Sequence, residues 1–527
     1  MRRVALGALA LTLSVLPACR CQKEAERTRA PPLLSVLPAD ADWVLAVPDL
    51  GQLGQKLAGI QDFDTFKAVL QLAGLASGRD GLDVAAEQLG FDIRDAASTR
   101  RAGLAPERGL AWVVGAPASQ GPRSYAVIAV SDGERFAQTL RRVVESRLGR
   151  APAETRAGAA RLWGEKALGA PEVGVLLKDG FAFVAAGQEA YALAALALPH
   201  TPLAQDAYFK AAQPHVSPSP DVHVFGRRLA GVGRTAIPAL VGTVEISRNA
   251  VSLQAELPGA LSPSTLSALV PQVGNSLWHA MPLDVFAALR FTGDAALFSR
   301  ELQNLLVASR FQTLVQDVSL QQDLFGQLLP GVLLGVSLAP TANFSSAALS
   351  RPWSRADLFT YVHFTFVGGL KDEARAMRAL ERLASAPPEG IRVKKVSREK
   401  RVAYVIDDGR GALGLAVQNG VWVGAAPEAR LLQTLERLGE NEVGPSTQAL
   451  KSILSQDAVA FAVDAQTLVS LMRALPAESW GHGGDVLKTV AGRWLSSMPE
   501  LRGLSVRGSA RGEALQVRAD LLLSQQR

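Results

Sequence analysis

The sequence predicts an α+β protein built as two tandem related halves, each an antiparallel sheet with packed helices. Three observations carry this reading. Apolar runs flank Asp179-Gly180 and Asn419-Gly420, dipeptides that supply the positive φ angles of a type I′ hairpin turn. Each hairpin continues through Glu189-Ala190 or Glu428-Ala429 into a helical pattern. Further blocks recur in the same order at a spacing of roughly 240 to 265 residues, the mark of an internal repeat.

Taken in chain order, the halves open alike, with Leu37-Pro38-Ala39-Asp40 before WVLAV and Met281-Pro282-Leu283-Asp284 before VFAAL. A strand, SYAVIAV at 124–130, leads into a helix whose Phe136, Leu140, Val143, Val144 and Leu148 share one face. Ser131 and Glu134 have capping-box spacing at its start. The second half offers LFTYVHFTF at 358–366, then a helix with Met377, Leu380 and Leu383. After each hairpin, DVHVFGRRLAGV (221–232) and DAVAFAVDAQTLVSL (457–471) read as a strand running into a helix. Each half closes with a two-stranded segment, at 241–257 and 501–523. The divisions are therefore 1–18, an export signal; 19–32, a tether; 33–258, the first α+β repeat; and 275–527, the second.

Composition limits the function classes. Hydrophobic residues make up 48% and charged residues 20% of the 527, enough apolar side chain for sizeable cores and too little charge for general disorder. The formal net charge of +6 falls to +4 once Arg2 and Arg3, the only charged residues in 1–18, are removed. No Lys/Arg run with interleaved aromatics occurs, so no nucleic-acid partner is expected. Both cysteines, Cys19 and Cys21, lie at the N-terminus, which leaves the body without a disulfide framework or thiolate metal site.

Arg2 and Arg3 precede the short apolar run Val4–Leu16, the layout of an export signal. About twenty apolar residues span a bilayer, and this run is shorter. No other stretch reaches that length, so the mature chain is expected to carry no transmembrane helix. Leu16-Pro17-Ala18-Cys19 resembles the lipobox of bacterial lipoproteins. Arg20 would occupy the small position if Cys21 were the acceptor, so the match falls on Cys19. The resemblance implies diacylglycerol on Cys19 and usually a third acyl chain on its freed amine. Arg20, in the position that sorts lipoproteins between membranes, is not the Asp that typically retains them in the inner one, which favours the outer membrane of the cell envelope. Cys21 reads as a bystander in the tether, with an intermolecular disulfide as the alternative. Separately, Leu-Pro-Ala-Asp-Ala followed by a short strand and Pro48-Asp49-Leu50 resembles bacterial exported proteins of unknown function with similar α+β domains. That likeness implies no catalytic residues.

Candidate chemistry is sparse. None of the six histidines (His200, His215, His223, His279, His363, His482) sits in a two-His metal spacing. His363 alternates with Tyr361 and Thr365 on the more polar face of a strand, and His482 lies in a Gly-rich loop, SWGHGGD. Gly409, Gly411 and Gly414 match Gly-x-Gly-x-x-Gly but join two strands, whereas dinucleotide binding needs a strand and a helix. Ser397-Arg398-Glu399-Lys400 has Ser-x-x-Lys spacing, in a charged connection and not at the start of a buried helix. Asp40/Asp42, Asp62/Asp64 and Asp407/Asp408 are paired acids; Asp407-Asp408-Gly409 is turn chemistry, and Asp62 caps the helical pattern after it. Trp43, Trp112, Trp163, Trp353 and Trp422 read as core. No catalytic, metal or cofactor residue is assigned, and Cys19 alone is given a role. The sequence thus points to a lipid-anchored envelope module that binds another envelope component or acts as a scaffold. A hydrolase assembled from distant residues and a carrier of an apolar ligand are the alternatives.

Overall fold

The computed structural model describes residues 32–59, 89–92, 94–117, 121–165, 171–197, 201–230, 236–272, 277–298, 318–339, 361–398, 401–407, 412–438, 457–474 and 501–523, with isolated positions beside them. The chain forms two compact units, Met1–Ala260 with Leu523–Arg527, and Leu261–Leu522. Both mix helices with an antiparallel sheet.

The first unit contains β1 (Trp43–Val47), β2 (Leu110–Val114), β3 (Ser124–Ala129), β4 (Ala153–Ala157) and β5 (Ala160–Gly164). It continues with β6 (Val173–Lys178), β7 (Phe181–Ala186), β8 (Val222–Ala230), β9 (Ala236–Ile246) and β10 (Ala250–Pro258). Their order across the sheet is β4-β5-β6-β7-β3-β2-β1-β8-β9-β10, with every neighbour antiparallel.

The second unit contains β11 (Ala287–Phe291), β12 (Val332–Leu338), β13 (Val362–Gly369), β14 (Arg392–Arg398) and β15 (Arg401–Asp407). It ends with β16 (Ala412–Gln418), β17 (Val421–Ala426), β18 (Val459–Asp464), β19 (Leu501–Arg511) and β20 (Ala514–Leu523). Here the order is β14-β15-β16-β17-β13-β12-β11-β18-β19-β20. Strand for strand, the two orders are the same.

Local chemistry repeats with the topology. The β6–β7 and β16–β17 hairpins turn on two residues each, closed by Lys178 opposite Phe181 and Gln418 opposite Val421. Asp179 and Gly180 have φ of 52° and 76°, and Asn419 and Gly420 have 54° and 71°, both residues positive as a type I′ turn requires. Gly174 on β6 and Gly414 on β16 occupy equivalent positions. A Cβ at Gly174 would lie 2.9 Å from Ala190 Cβ, and one at Gly414 would lie 2.8 Å from Leu431 Cδ2. In both units a helix after the hairpin therefore presses on the sheet where only glycine leaves room.

Helices cover both faces of each sheet. In the first unit, α1 (Leu50–Ala58) and α2 (Gly133–Leu148) bury Leu53, Leu57, Phe136 and Val144 in a cluster with Val47, Leu110 and Ile128. On the other face, α3 (Glu189–Ala192) and α4 (Ala207–Ala212) place Ala190, Phe209 and Ala212 against Val113, Val127 and Phe225. In the second unit, α5 (Glu373–Ser385) buries Ala376, Leu380 and Leu383 against Phe366 and Tyr404. On the opposite face, α6 (Glu428–Arg437) buries Leu431 and Leu435 against Leu333 and Val367. After β18 runs α7 (Ala465–Ala474).

Two local expectations are corrected. The cap of α2 is Asp132, whose side chain accepts from Arg135 N at 3.0 Å, whereas Ser131 Oγ donates to Leu104 O. Asp372 caps α5 in the same way, from Arg375 N at 2.9 Å, so the shared signal is Asp-x-x-Arg and not the capping box. Secondly, Val222–Ala230 is strand throughout, and no helix follows the strand within it as one does after β18. Leu229 and Ala230 pair with Ile237 and Ala236, and the β8–β9 hairpin takes up backbone that the apolar spacing alone offers equally to a helix.

Candidate functional site

The densest polar cluster involving a singled-out histidine lies in the second unit, where register gathers residues distant in sequence. Ser337 on β12 stands directly opposite His363 on β13. Arg430, in the first turn of α6, is buried below this pair. Its Nη1 donates to Asp284 Oδ2 at 2.7 Å, its Nη2 to Ser337 Oγ, and its Nε is buried without a partner. Ser337 Oγ also lies 3.4 Å from Asp284 Oδ1. Two turns on, Arg437 Nε donates to Met281 O at 2.7 Å. Both arginines of α6 therefore fasten the Met281–Asp284 segment that opens the unit.

This set contains a hydroxyl, an imidazole and a carboxylate, yet it is wired as a tie. A nucleophilic serine needs its base within hydrogen-bond reach, and Ser337 Oγ is engaged by Arg430 instead. Among the described residues, His363 makes no hydrogen bond. Burial pushes its pKa down, Arg430 pushes it further down, and Asp284 opposes both. The corresponding opening of the first unit is different: burial, with a smaller contribution from Asp40, pushes the Tyr125 hydroxyl pKa up.

His223 on β8 is placed edge-on to Phe209, centroids 5.7 Å apart, and burial pushes its pKa down. The unfolded chain takes up its proton near the ordinary histidine value of about 6.5, whereas the folded chain resists until lower pH. Stability from neutral His223 and His363 is thus complete above about pH 6.5 and is lost as pH falls through their folded pKa values. The melting temperature should fall between pH 7 and 5, and less steeply in His223→Phe; an unchanged slope in that variant would contradict the assignment.

The other singled-out residues disperse. His215 Nδ1 lies 2.9 Å from Glu256 Oε2, and Asp407 pairs with Arg392 across the β14–β15 hairpin. Gly414 lies within β16 and Ser397 within β14, whereas Asp408, Gly409, Gly411, Glu399 and Lys400 lie outside the described residues. Trp163 is buried and donates to Glu154 at 3.1 Å, and Trp422 is buried against Phe366. Trp43, expected in the core, is instead 38% exposed. Cys19, Cys21, Asp62, Asp64, His200, Trp353 and His482 lie outside the described residues. Among the described residues, no three His, Cys, Asp or Glu side chains gather as metal ligands. No helix among them is long and apolar enough to cross a membrane. The Arg430 tie itself escaped the sequence reading, since an arginine on an amphipathic helix looks solvent-facing until the helix is docked.

No family model and no curated protein matches the chain. Solved structures of TP0453 align weakly. Crystal form III gives a TM-score of 0.25 at 10% identity, covering 47% of this chain and 91% of that one. Crystal form I gives 0.24 at 12% identity, covering 44% and 79%.

Proposed function

We propose that the protein is a lipid-anchored envelope protein of two related α+β halves, serving as a non-catalytic binding or scaffold module at the outer membrane. The observation that carries this reading is Leu16-Pro17-Ala18-Cys19 behind Arg2, Arg3 and a short apolar run. Tandem relatedness of the halves is supported by ten strands in the same order in each unit, matched hairpin turns, and the Asp132 and Asp372 caps. The non-catalytic reading is supported by the engagement of Ser337 and Asp284 by Arg430. Chemical cross-linking in intact cells at native abundance should recover one consistent envelope partner; repeated recovery of none would contradict the scaffold role. Carriage of an apolar ligand is the second reading, favoured by the uncharged sheet surface described next.

A further inference from the structure

The sheet face that carries α1 and α2 is apolar well beyond what those helices cover. One registered row crosses five strands through Val224, Leu45, Trp112, Ala126 and Val184. The next row runs through Leu240, Gly226, Trp43, Val114 and Ser124. Neither row contains a charge, and Ser124 is the single polar side chain. Burial fails toward the second row, where Trp43 and Val114, paired directly across β1–β2, are 38% and 36% exposed. The Trp43 ring lies over Gly226, where a Cβ would sit 2.8 Å from Cζ3, so the indole is held flat on the sheet. The second unit leaves apolar strand positions open elsewhere, on β19, where Val506 and Leu504, opposite Phe461 and Val463, are 39% and 41% exposed. An apolar strand face left open normally has an occupant.

The chemistry of the face restricts that occupant. Backbone groups are spent in the ladders and no side chain within the two rows offers a charge, so these positions reward hydrocarbon. The chain supplies hydrocarbon nearby if Cys19 is acylated, and the inference rests on that reading. Cys19 to Pro32 spans thirteen residues, a reach of about 45 Å when extended. Pro32 to Trp43 is eleven residues, at most about 40 Å, and the 3-10 turn at Leu33–Ser35 shortens it. The tether is therefore long enough to lay the acyl chains over Trp43.

We infer that, away from a bilayer, the acyl chains on Cys19 dock on the open apolar end of the first unit's sheet at Trp43 and Val114. Membrane insertion withdraws them and exposes the face. The test uses the full chain made in cells fed a diazirine-bearing fatty acid, purified and diluted out of detergent without vesicles. Irradiation should cross-link the acyl group to β1 and β2 peptides within the same chain, and Trp43→Glu should lower that yield about tenfold while Leu504→Glu leaves it unchanged. Val114→Glu is the second variant should Trp43→Glu melt below the parent. Acylated chain that cross-links elsewhere, or equally in the Trp43 and Val114 variants, overturns the docking alone. Cross-links between two copies name a second copy as occupant and overturn it as well. An N-terminal peptide without acyl mass overturns both the docking and the lipoprotein reading.

Discussion

Asp206→Ala should lower the melting temperature by roughly 6–12 °C, the effect of losing about 3 kcal/mol in a unit of this size. Two roles converge on this buried carboxylate. It caps α4 by accepting from Phe209 N at 3.0 Å, and it pairs with Arg227 on β8. Arg227 is fixed on its other sides, with its guanidinium 5.6 Å from the centroids of the Tyr208 and Phe225 rings. Its Nε is already buried without a partner, so losing the carboxylate leaves a held charge with no counter-ion. Breaking one side of such a pair costs more than the pair contributes, and a lost cap adds about 1 kcal/mol. Asp206→Asn, which keeps the capping oxygen, should lose less. Glu134→Ala, which removes the exposed partner of Arg161, should leave the melting temperature unchanged, because solvent screens that pair. Thermal unfolding followed by circular dichroism decides the matter; equal losses for Asp206→Ala and Glu134→Ala would contradict the ranking.

The parts of the fold legible in the sequence were those written in short-range chemistry. Asp179-Gly180 and Asn419-Gly420 specify their turns whatever surrounds them, and the amphipathic faces of α2 and α5 declare which side is buried. The sequence places the α2 cap one residue early because Ser131 and Asp132 both suit the position, and Leu104 O settles the choice by engaging Ser131. The strand–helix error at Val222–Ala230 arose because period alone does not separate a short apolar strand from a helix. Pairing with β9, a long-range fact, decided it.

The Asp284–Ser337–His363–Arg430 cluster joins four segments spread over nearly 150 residues, and only strand order and register bring them together. The apolar strand around Trp43 predicts a core tryptophan. What the sequence could not state is that its face extends past the helices that cover the rest. The same limit works in reverse for the anchor proposed at Cys19, which would be a linear signal read by position and spacing, so its residues need no fold to be legible.

Cys19→Ala should move the protein from the membrane pellet to the supernatant without changing its melting temperature. Each buried methylene contributes about 0.8 kcal/mol of membrane affinity, so two or three chains hold a protein where one binds reversibly. The described helices supply no substitute span. Cys21→Ala, which leaves the proposed acceptor Cys19 in place, should stay in the pellet. Carbonate-washed fractionation of cells producing each variant is the direct measurement. The account predicts release of Cys19→Ala alone; Cys19→Ala remaining in the pellet as fully as the parent would contradict it.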